Sequence, residues 1–240
     1  MNNSDIKIKK ELISIVIPAR NEEANIDRLE RELLAVVNPL DYEFEFIVID
    51  NASTDHTREK VKQICQRDPR WRYIRFSKNF SVEMSISAGY QIATGAAIIV
   101  LYSDLQDPPE VIPQFLEKWK QGYDVVYGVR TVRPGDPKWR NLLVKFAYRI
   151  IGWFSDTPIP NDTGDFRLIT KQVRDALNEC QEYNRYLRGL IAWLGFRQVG
   201  VVYERRPRTG GVSNAPFWDT LLFTMRALPI FSVTPLRLFA

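Results

Sequence analysis

Short apolar stretches alternate with amphipathic stretches over the first 130 residues of the chain. The apolar stretches are rich in β-branched residues, which is typical of buried strands, whereas the stretches between them repeat apolar residues at helical spacing. The pattern predicts strands at residues 12–18, 43–50, 71–76, 97–102 and 124–128. It predicts helices from the turn at 18–23 to about residue 37, and at 57–67, 79–93 and 111–121. This alternation predicts an α/β fold, a mostly parallel sheet with helices on both faces.

The pattern changes after residue 128. Residues 138–154 place apolar and aromatic side chains on one helical face and Lys145 and Arg149 on the other. This favours an amphipathic helix at a bilayer interface, although a surface helix packed on the core fits the same pattern. We expect a polar loop at 160–167, short helices up to residue 194 and a strand near 198–204. The basic, glycine-containing stretch at 205–214 is expected to close over phosphates, or else to be a solvated turn.

The end of the chain is apolar and aromatic, but Pro229 and Pro235 would interrupt a long helix there. We expect residues 215–240 to form an interfacial helix that leads toward a membrane segment absent from this sequence. Residues 1–214 are expected to form one domain, because 240 residues suffice for one α/β core and are few for two. No stretch reaches the roughly 20 apolar residues of a membrane-spanning helix.

Composition narrows the classes of protein. Hydrophobic residues make up 45% of the chain and charged residues 26%, which excludes a disordered or fibrous class. The net charge is +4, and basic residues cluster at 130–149, which indicates an anionic partner. Nucleic acid is the least favoured partner, because no recognition motif accompanies this cluster. Cys65 and Cys180 support neither a disulfide framework nor a zinc site, and the amino terminus has no secretory signal, so we expect a reduced, cytosol-facing setting.

Polar residues follow the predicted strand at 97–102. Asp104, Gln106 and Asp107 come before a Pro-Pro pair, at the end of a strand where open α/β sheets bind ligands. Their oxygens suit Mg²⁺, an ion that also holds a substrate's phosphates. Alternatively, Asp104 and Asp107 only cap the helix that begins near Pro109. Neither a GxGxxG nor a GxxxxGK[ST] motif follows the first strand, which argues against a dinucleotide-binding or P-loop protein.

Five stretches together carry a resemblance to a known family. They are Ile15-Val-Ile-Pro18-Ala-Arg20-Asn21-Glu22, Val48-Ile-Asp50-Asn51-Ala-Ser53-Thr-Asp55, Asp104-Leu-Gln106-Asp107-Pro108-Pro109-Glu110, Gly164-Asp165-Phe166-Arg167 and Arg205-x-x-Arg208-x-x-Gly211-x-Ser213. In this order they make the chain resemble the family 2 glycosyltransferases of the GT-A fold, which is Rossmann-like. More narrowly, the chain resembles the polyprenyl-phosphate glycosyltransferases, the group that includes dolichyl-phosphate-mannose synthase.

The resemblance implies roles for individual residues. For the nucleoside it implies Pro18, Arg20, Glu22, Asp50 and Ser53. For the metal ion and diphosphate it implies Asp104 and Gln106, and for catalysis at the sugar Asp104, Asp162, Asp165 and Arg167. For the acceptor phosphate it implies Arg130 and Arg140. For a mobile loop over the active site it implies Arg205, Arg208 and Ser213.

The resemblance also implies a reaction. Glucose or a related hexose would pass with inversion from a nucleotide-diphosphate sugar, expected to be UDP-linked, to undecaprenyl or dolichyl phosphate. The metal ion would be Mg²⁺ or Mn²⁺. The reaction would take place at the cytoplasmic face of the membrane, with the lipid surface as a partner and with a homo-oligomer as a further expectation. Because a phosphate acceptor is already anionic at neutral pH, it needs positioning more than deprotonation.

Three residues depart from the family's pattern. Tyr102 stands where such proteins usually have the first Asp of an Asp-Ala-Asp motif, Asn51 stands where a second Asp is frequent, and Asn214 stands where Lys is usual. A nucleotide-sugar-binding module without turnover is therefore an alternative, supported mainly by Tyr102. A glycosyltransferase acting on a saccharide hydroxyl is another, and it would need a base such as Asp165 or Asp162.

Overall fold

The computed structural model describes residues 10–131, 163–182 and 185–207. Its strands are β1 Leu12–Ala19, β2 Glu43–Asp50, β3 Trp71–Arg75, β4 Ala97–Val100, β5 Val125–Arg130, β6 Thr163–Thr170 and β7 Gln198–Tyr203. Its helices are α1 Ile26–Val37, α2 Thr57–Arg67, α3 Val82–Ile92, α4 Ile112–Lys120, α5 Lys171–Glu179 and α6 Leu187–Trp193, and a 3-10 turn at Pro109–Val111 precedes α4. The strands and helices predicted for the first 130 residues are confirmed.

Several predicted features lie outside the described residues. They are the helix at 138–154, the interfacial segment at 215–240, and the site residues Arg140, Asp162, Arg208 and Ser213. The division of the chain at residue 214 therefore stays a prediction.

The seven strands form one sheet in the order β3-β2-β1-β4-β6-β5-β7. Four neighbouring pairs are parallel, and β6 runs antiparallel to both β4 and β5. The predicted α/β fold with a mostly parallel sheet is confirmed.

The prediction of a loop at 160–167 is wrong where the structure describes it, because Thr163 is the first residue of β6. The sequence misleads here because Asp165 and Arg167 interrupt the apolar run expected of a central strand. Each of these two residues is nevertheless buried, at 5% exposure, and each side chain has hydrogen-bond partners within the protein. The predicted helices up to residue 194 and the strand near 198–204 are confirmed as α5, α6 and β7.

Successive side chains of β1 point to opposite faces of the sheet, and each face is covered by helices. Ile15 packs in a core with α1, α2 and α4, represented by the fully buried Leu33 and Phe115. Val16 packs in the core on the other face with α3, α5 and α6, represented by Val173. Burial of each such side chain stabilises the fold by roughly 1.5–3 kcal/mol. Among the described helices, none is both long and apolar enough to cross a bilayer.

Candidate active site

A pocket of about 540 Å³ opens at the carboxyl ends of β1, β2 and β4. In the sheet, β1 lies between β2 and β4, so the strand order changes direction at β1, which is where open α/β sheets bind ligands. Among the residues that line the pocket are Pro18 at the end of β1, Arg20 and Glu22 after it, Asn51 after β2, Phe80 before α3 and Asp104 after β4.

Each of these three strands is followed by a residue in the left-handed backbone region. The φ angle is 54° at Asn21, 56° at Ala52 and 53° at Leu105. Such angles are uncommon for residues other than glycine, and they cluster at ligand-binding sites. Side-chain hydrogen bonds connect these turns to their neighbours: Ser53 Oγ accepts from Asn21 N at 3.0 Å, and Ser103 Oγ donates to the Pro18 carbonyl near the end of β1 at 3.2 Å. The polar turns are therefore tied to one another at the pocket.

The residues that the resemblance assigns to the nucleoside divide into two groups. Three of them line the pocket, namely Pro18, Arg20 and Glu22. Asp50 is buried behind it and accepts hydrogen bonds from the Tyr73 hydroxyl at 2.5 Å and from Ser53 N at 2.8 Å. Ser53 is also buried. Asp50 and Ser53 thus hold the turn after β2 in place, and a direct role in nucleotide binding stays a prediction.

Asp104 lies at the pocket, and its Oδ1 accepts a hydrogen bond from Gln106 N at 3.1 Å. Asp107, the further oxygen ligand considered from sequence, is instead fully buried and bonded to the Tyr203 hydroxyl. Within the three described ranges, no group of three or more His, Cys, Asp and Glu side chains is placed to hold a metal ion. Among the described residues, the oxygen donors therefore fit Mg²⁺ or Mn²⁺ held by the carboxylate of Asp104 together with a substrate's phosphates, and they do not form an all-protein cage.

Asp165 lies on β6 directly behind the pocket wall. Its Oδ2 accepts a hydrogen bond from the Tyr102 hydroxyl at 2.7 Å, and Arg188 of α6 donates to both carboxylate oxygens, at 2.7 and 2.8 Å. Arg167 donates to the Gly164 carbonyl at 2.9 Å and lies 4.0 Å from Asp165 Oδ1. Burial alone would raise the pKa of Asp165, but the hydrogen bonds and charge of Arg188 outweigh burial and hold that pKa well below its usual range.

A second charged cluster surrounds the buried Asp107, beside the carboxyl ends of β5 and β7. Asp107 Oδ1 accepts from the Tyr203 hydroxyl at 2.5 Å, Arg130 Nη2 lies 3.5 Å from Oδ2, and Arg205 Nε lies 3.7 Å from Oδ1. Gly164 leaves room for Arg130, because a Cβ at Gly164 would lie only 2.6 Å from Arg130 Nη2. In the described part of the chain, two arginines therefore share one carboxylate.

Arg206 fastens the segment after β7 to the turn after β4. Its backbone N donates to Gln106 O at 2.9 Å, and its guanidinium donates to Glu32 Oε2 and Glu110 Oε1, each at 2.6 Å. The beginning of the loop expected at 205–214 therefore contacts the turn that carries Asp104, and the loop beyond residue 207 is not described.

The sequence was compared with the profiles of known protein families. The profile of glycosyl transferase family 2 matches residues 14–178. The chain belongs to glycosyl transferase family 2. The family predicted from the five sequence stretches is therefore confirmed.

This family 2 glycosyltransferase has relatives along most of its length. It is 37% identical over 225 residues to an uncharacterized glycosyltransferase of Synechocystis sp., an alignment that covers 94% of this chain and 71% of the relative. It is 32% identical over 225 residues to a bactoprenol glucosyl transferase of Shigella phage SfX, with 94% and 74% covered.

Solved structures show the same fold. Glucosyl-3-phosphoglycerate synthase of Mycobacterium tuberculosis, in complex with Mn²⁺ and UDP-glucose, matches with a TM-score of 0.54 at 16% identity, over 90% of this chain and 76% of that one. The chain spans 57%, 59% and 65% of three further solved chains of similar fold. The predicted GT-A fold is confirmed.

Sequence reasoning missed two parts of this candidate site. Phe80 and Ser81, directly before α3, line the pocket, and Arg188 of α6 supports the pocket wall through Asp165. A signal existed for Ser81, because a serine before a helix is a frequent cap, and the helix that follows a parallel strand begins at the carboxyl end of that strand. A signal also existed for Arg188, because a charged residue within an apolar helix requires a partner. The identity of that partner, Asp165, has no signal in the sequence.

Proposed function

We propose that this glycosyltransferase transfers glucose or a related hexose, with inversion, from a UDP-linked sugar to undecaprenyl or dolichyl phosphate at the cytoplasmic face of a membrane. The observation that carries the proposal is the cluster in which Arg130 and Arg205 share the single carboxylate of Asp107. Relatives support it, because one is named a bactoprenol glucosyl transferase and one solved structure of the same fold contains UDP-glucose.

The cluster around Asp107 suits an anionic acceptor. Two guanidinium groups face one carboxylate, so the cluster carries excess positive charge beside the turn that contains Asp104. Arginine presents planar, paired donors that match phosphate oxygens. In the proposed reaction Arg130 holds the acceptor phosphate, and Arg140, outside the described residues, is proposed to assist it.

The bonding of Asp165 favours a phosphate over a hydroxyl acceptor. A hydroxyl acceptor needs a base, and Asp165 is already bonded to Tyr102 and Arg188 and has a lowered pKa. A phosphate acceptor needs no strong base. We therefore propose that Asp165 and Arg167 act by holding the sugar side of the pocket, with Asp162 as a further, undescribed contributor.

The metal ion and the donor are proposed to meet at Asp104. Asp104, aided by Gln106, would hold Mg²⁺ or Mn²⁺ together with the donor phosphates, while Pro18, Arg20 and Glu22 position the nucleoside. When bound, the ion stabilises the negative charge that develops on the departing nucleoside diphosphate. Arg205, with Arg208 and Ser213, is proposed to belong to a mobile loop over the active site.

The membrane surface and a homo-oligomer stay proposals about partners. The segments at 138–154 and 215–240 that support a lipid surface lie outside the described residues. Sedimentation with anionic and neutral vesicles tests that surface. Stronger binding to anionic vesicles that weakens as salt rises is expected, and equal binding to both would contradict an electrostatic contribution.

A transfer assay tests the reaction. UDP-glucose, another UDP-hexose and a GDP-hexose are each incubated with undecaprenyl phosphate, dolichyl phosphate or a free saccharide, in the presence of Mg²⁺ or Mn²⁺. Transfer from a UDP-hexose to a polyprenyl phosphate is expected. Transfer only to the saccharide would establish the hydroxyl-acceptor alternative, and donor binding without any product would establish a binding module.

A further inference from the structure

Tyr102 lines the pocket in the turn after β4, at the position where the family usually has an aspartate. A phenol hydroxyl is not a ligand that Mg²⁺ or Mn²⁺ prefers. The hydroxyl instead donates a hydrogen bond at 2.7 Å to Oδ2 of Asp165, which lies 63 residues further along the chain. The Tyr102 hydroxyl therefore bonds to Asp165 within the protein, and any role of that hydroxyl depends on this hydrogen bond.

Asp165 connects Tyr102 to α6. Its side chain is only 7% exposed, and Arg188 donates from Nε to Oδ1 at 2.7 Å and from Nη2 to Oδ2 at 2.8 Å. A bidentate pair of this kind restricts the orientation of both groups. Because the carboxylate is held in one orientation, it offers Tyr102 a fixed acceptor.

The turn that carries Asp104 is held from two sides. Ser103 Oγ donates to the Pro18 carbonyl of β1 at 3.2 Å, and Tyr102 bonds on the side of β6 and α6. Leu105, the residue after Asp104, has a φ of 53°. A left-handed conformation at a leucine persists only when surrounding contacts hold it. The placement of Asp104 therefore depends on both neighbouring anchors.

We propose that Tyr102 is a positioning residue, which fastens the turn that carries Asp104 to Arg188 of α6 through Asp165. The inference rests on the proposed function, because it takes Asp104 as the carboxylate that meets the metal ion and the donor phosphates. In this arrangement Asp104 is the carboxylate of the turn after β4 that lines the pocket, and a tyrosine anchor stands where related proteins usually have a further aspartate.

The arrangement has a consequence for the family's usual residue. In Tyr102→Asp the shorter side chain would no longer reach Asp165, and it would bring a second negative charge toward that carboxylate, whose two oxygens Arg188 already occupies. Tyr102→Asp should therefore weaken binding of a metal–nucleotide complex rather than strengthen it.

The test uses the full 240-residue chain and measures binding of Mn²⁺ together with UDP, by calorimetry and by electron paramagnetic resonance of the ion. Tyr102→Phe keeps the ring and removes only the hydroxyl, and Arg188→Lys keeps the charge and loses the paired geometry. Each should weaken binding about tenfold, the size expected for losing a hydrogen bond to a charged group. The double variant should be little weaker than either single variant, because both break the same connection.

Tyr42→Phe is the matched control. The Tyr42 hydroxyl is buried without a hydrogen-bond partner among the described residues. Tyr42 directly precedes β2, so it lies at the amino ends of the strands, whereas the pocket lies at their carboxyl ends. Its removal should leave Mn²⁺–UDP binding and the acceptor KM unchanged. Thermal unfolding of each ligand-free variant shows whether the fold is intact.

The outcomes separate this inference from the proposed function. If Tyr102→Phe and Arg188→Lys lower only the unfolding temperature and bind Mn²⁺–UDP like the wild type, Tyr102 has a purely structural role and the inference is wrong. If Asp104→Asn also binds like the wild type, the proposed metal site is wrong instead. Tighter binding by Tyr102→Asp would likewise overturn the inference.

Discussion

The side-chain amide of Asn51 forms two hydrogen bonds with the backbone of Phe80: Nδ2 donates to the Phe80 carbonyl at 2.8 Å, and Oδ1 accepts from Phe80 N at 2.7 Å. Both residues line the pocket, so this pair joins the turn after β2 to the segment that leads into α3. An aspartate could accept from Phe80 N, but it could not donate to the carbonyl. Asn51, which stands where the family frequently has an aspartate, therefore helps to hold the pocket wall together.

Asn51→Asp should lower the free energy of unfolding by about 1–2 kcal/mol at pH 7, because it removes one hydrogen bond and places a charge against a carbonyl. Urea unfolding measures the loss. Asn38→Asp is the control, since Asn38 is exposed and its Oδ1 only accepts from Arg70, which an aspartate also does. An equal loss of unfolding free energy in both variants would mean that the hydrogen bonds with Phe80 do not contribute to stability.

Asp104→Asn should abolish most of the Mn²⁺-dependent transfer, by about 100-fold or more in kcat, because a neutral amide holds a divalent cation poorly. A chelator should stop the wild-type enzyme, and added Mn²⁺ should restore it. Asp175→Asn, a half-exposed residue of α5, provides the control for loss of a carboxylate and should behave like the wild type. Activity that is indifferent both to chelator and to Asp104→Asn would exclude the proposed metal ion.

Arg130→Lys should raise the KM for polyprenyl phosphate about tenfold while leaving donor binding nearly unchanged, since lysine cannot reproduce paired donors to phosphate. Gly164→Ala is a second route to the same effect without a change of charge, because the added Cβ would displace the guanidinium of Arg130.

Arg197→Lys is the matched control for Arg130. Arg197 directly precedes β7, at the amino end of that strand, whereas the pocket lies at the carboxyl ends of the strands. Its guanidinium packs over the ring of Tyr123. Steady-state kinetics with varied acceptor and varied donor show whether Arg130 affects the acceptor or the donor. Unchanged acceptor kinetics in Arg130→Lys and in Gly164→Ala would remove Arg130 from the acceptor site.

Glu83, in the first turn of α3, should make the fold less stable as the pH rises. Burial and the negative charge of Asp165 raise the pKa of Glu83 from 4.5 to about 7, and Arg188 opposes this only in part. Because the folded pKa lies above the unfolded one, the stability that Glu83 contributes is complete below pH 4.5 and is lost as the pH rises through about 7.

Glu83→Gln should therefore raise the Tm by roughly 2–4 °C at pH 8 and change it little at pH 4.5. Thermal unfolding across that range measures the difference. Glu59→Gln, at an exposed position in the first turn of α2, should show no such pH-dependent gain. A gain of equal size at both pH values would show that the ionisation of Glu83 is not its cause.

Local sequence pattern determined most of the fold and part of the site. The bounds of β2 and α2 agree with those predicted, because burial on both faces selects an apolar run and burial on one face selects helical spacing. Pro18, Arg20, Glu22 and Asp104 were expected at one place and do line one pocket, because the carboxyl ends of parallel strands meet at one edge of the sheet.

The tertiary structure alone decided which partner each polar residue has. Because Asp165 is polar, the sequence predicted a loop there. The fold instead places Asp165 on a buried antiparallel strand. Its partners Tyr102 and Arg188 lie 63 and 23 residues away along the chain. The same holds for Asn51 and Phe80, 29 residues apart. Periodicity reports whether a side chain faces the core, but the strength of a hydrogen bond or ion pair depends on distances between atoms that only the order and packing of strands and helices set.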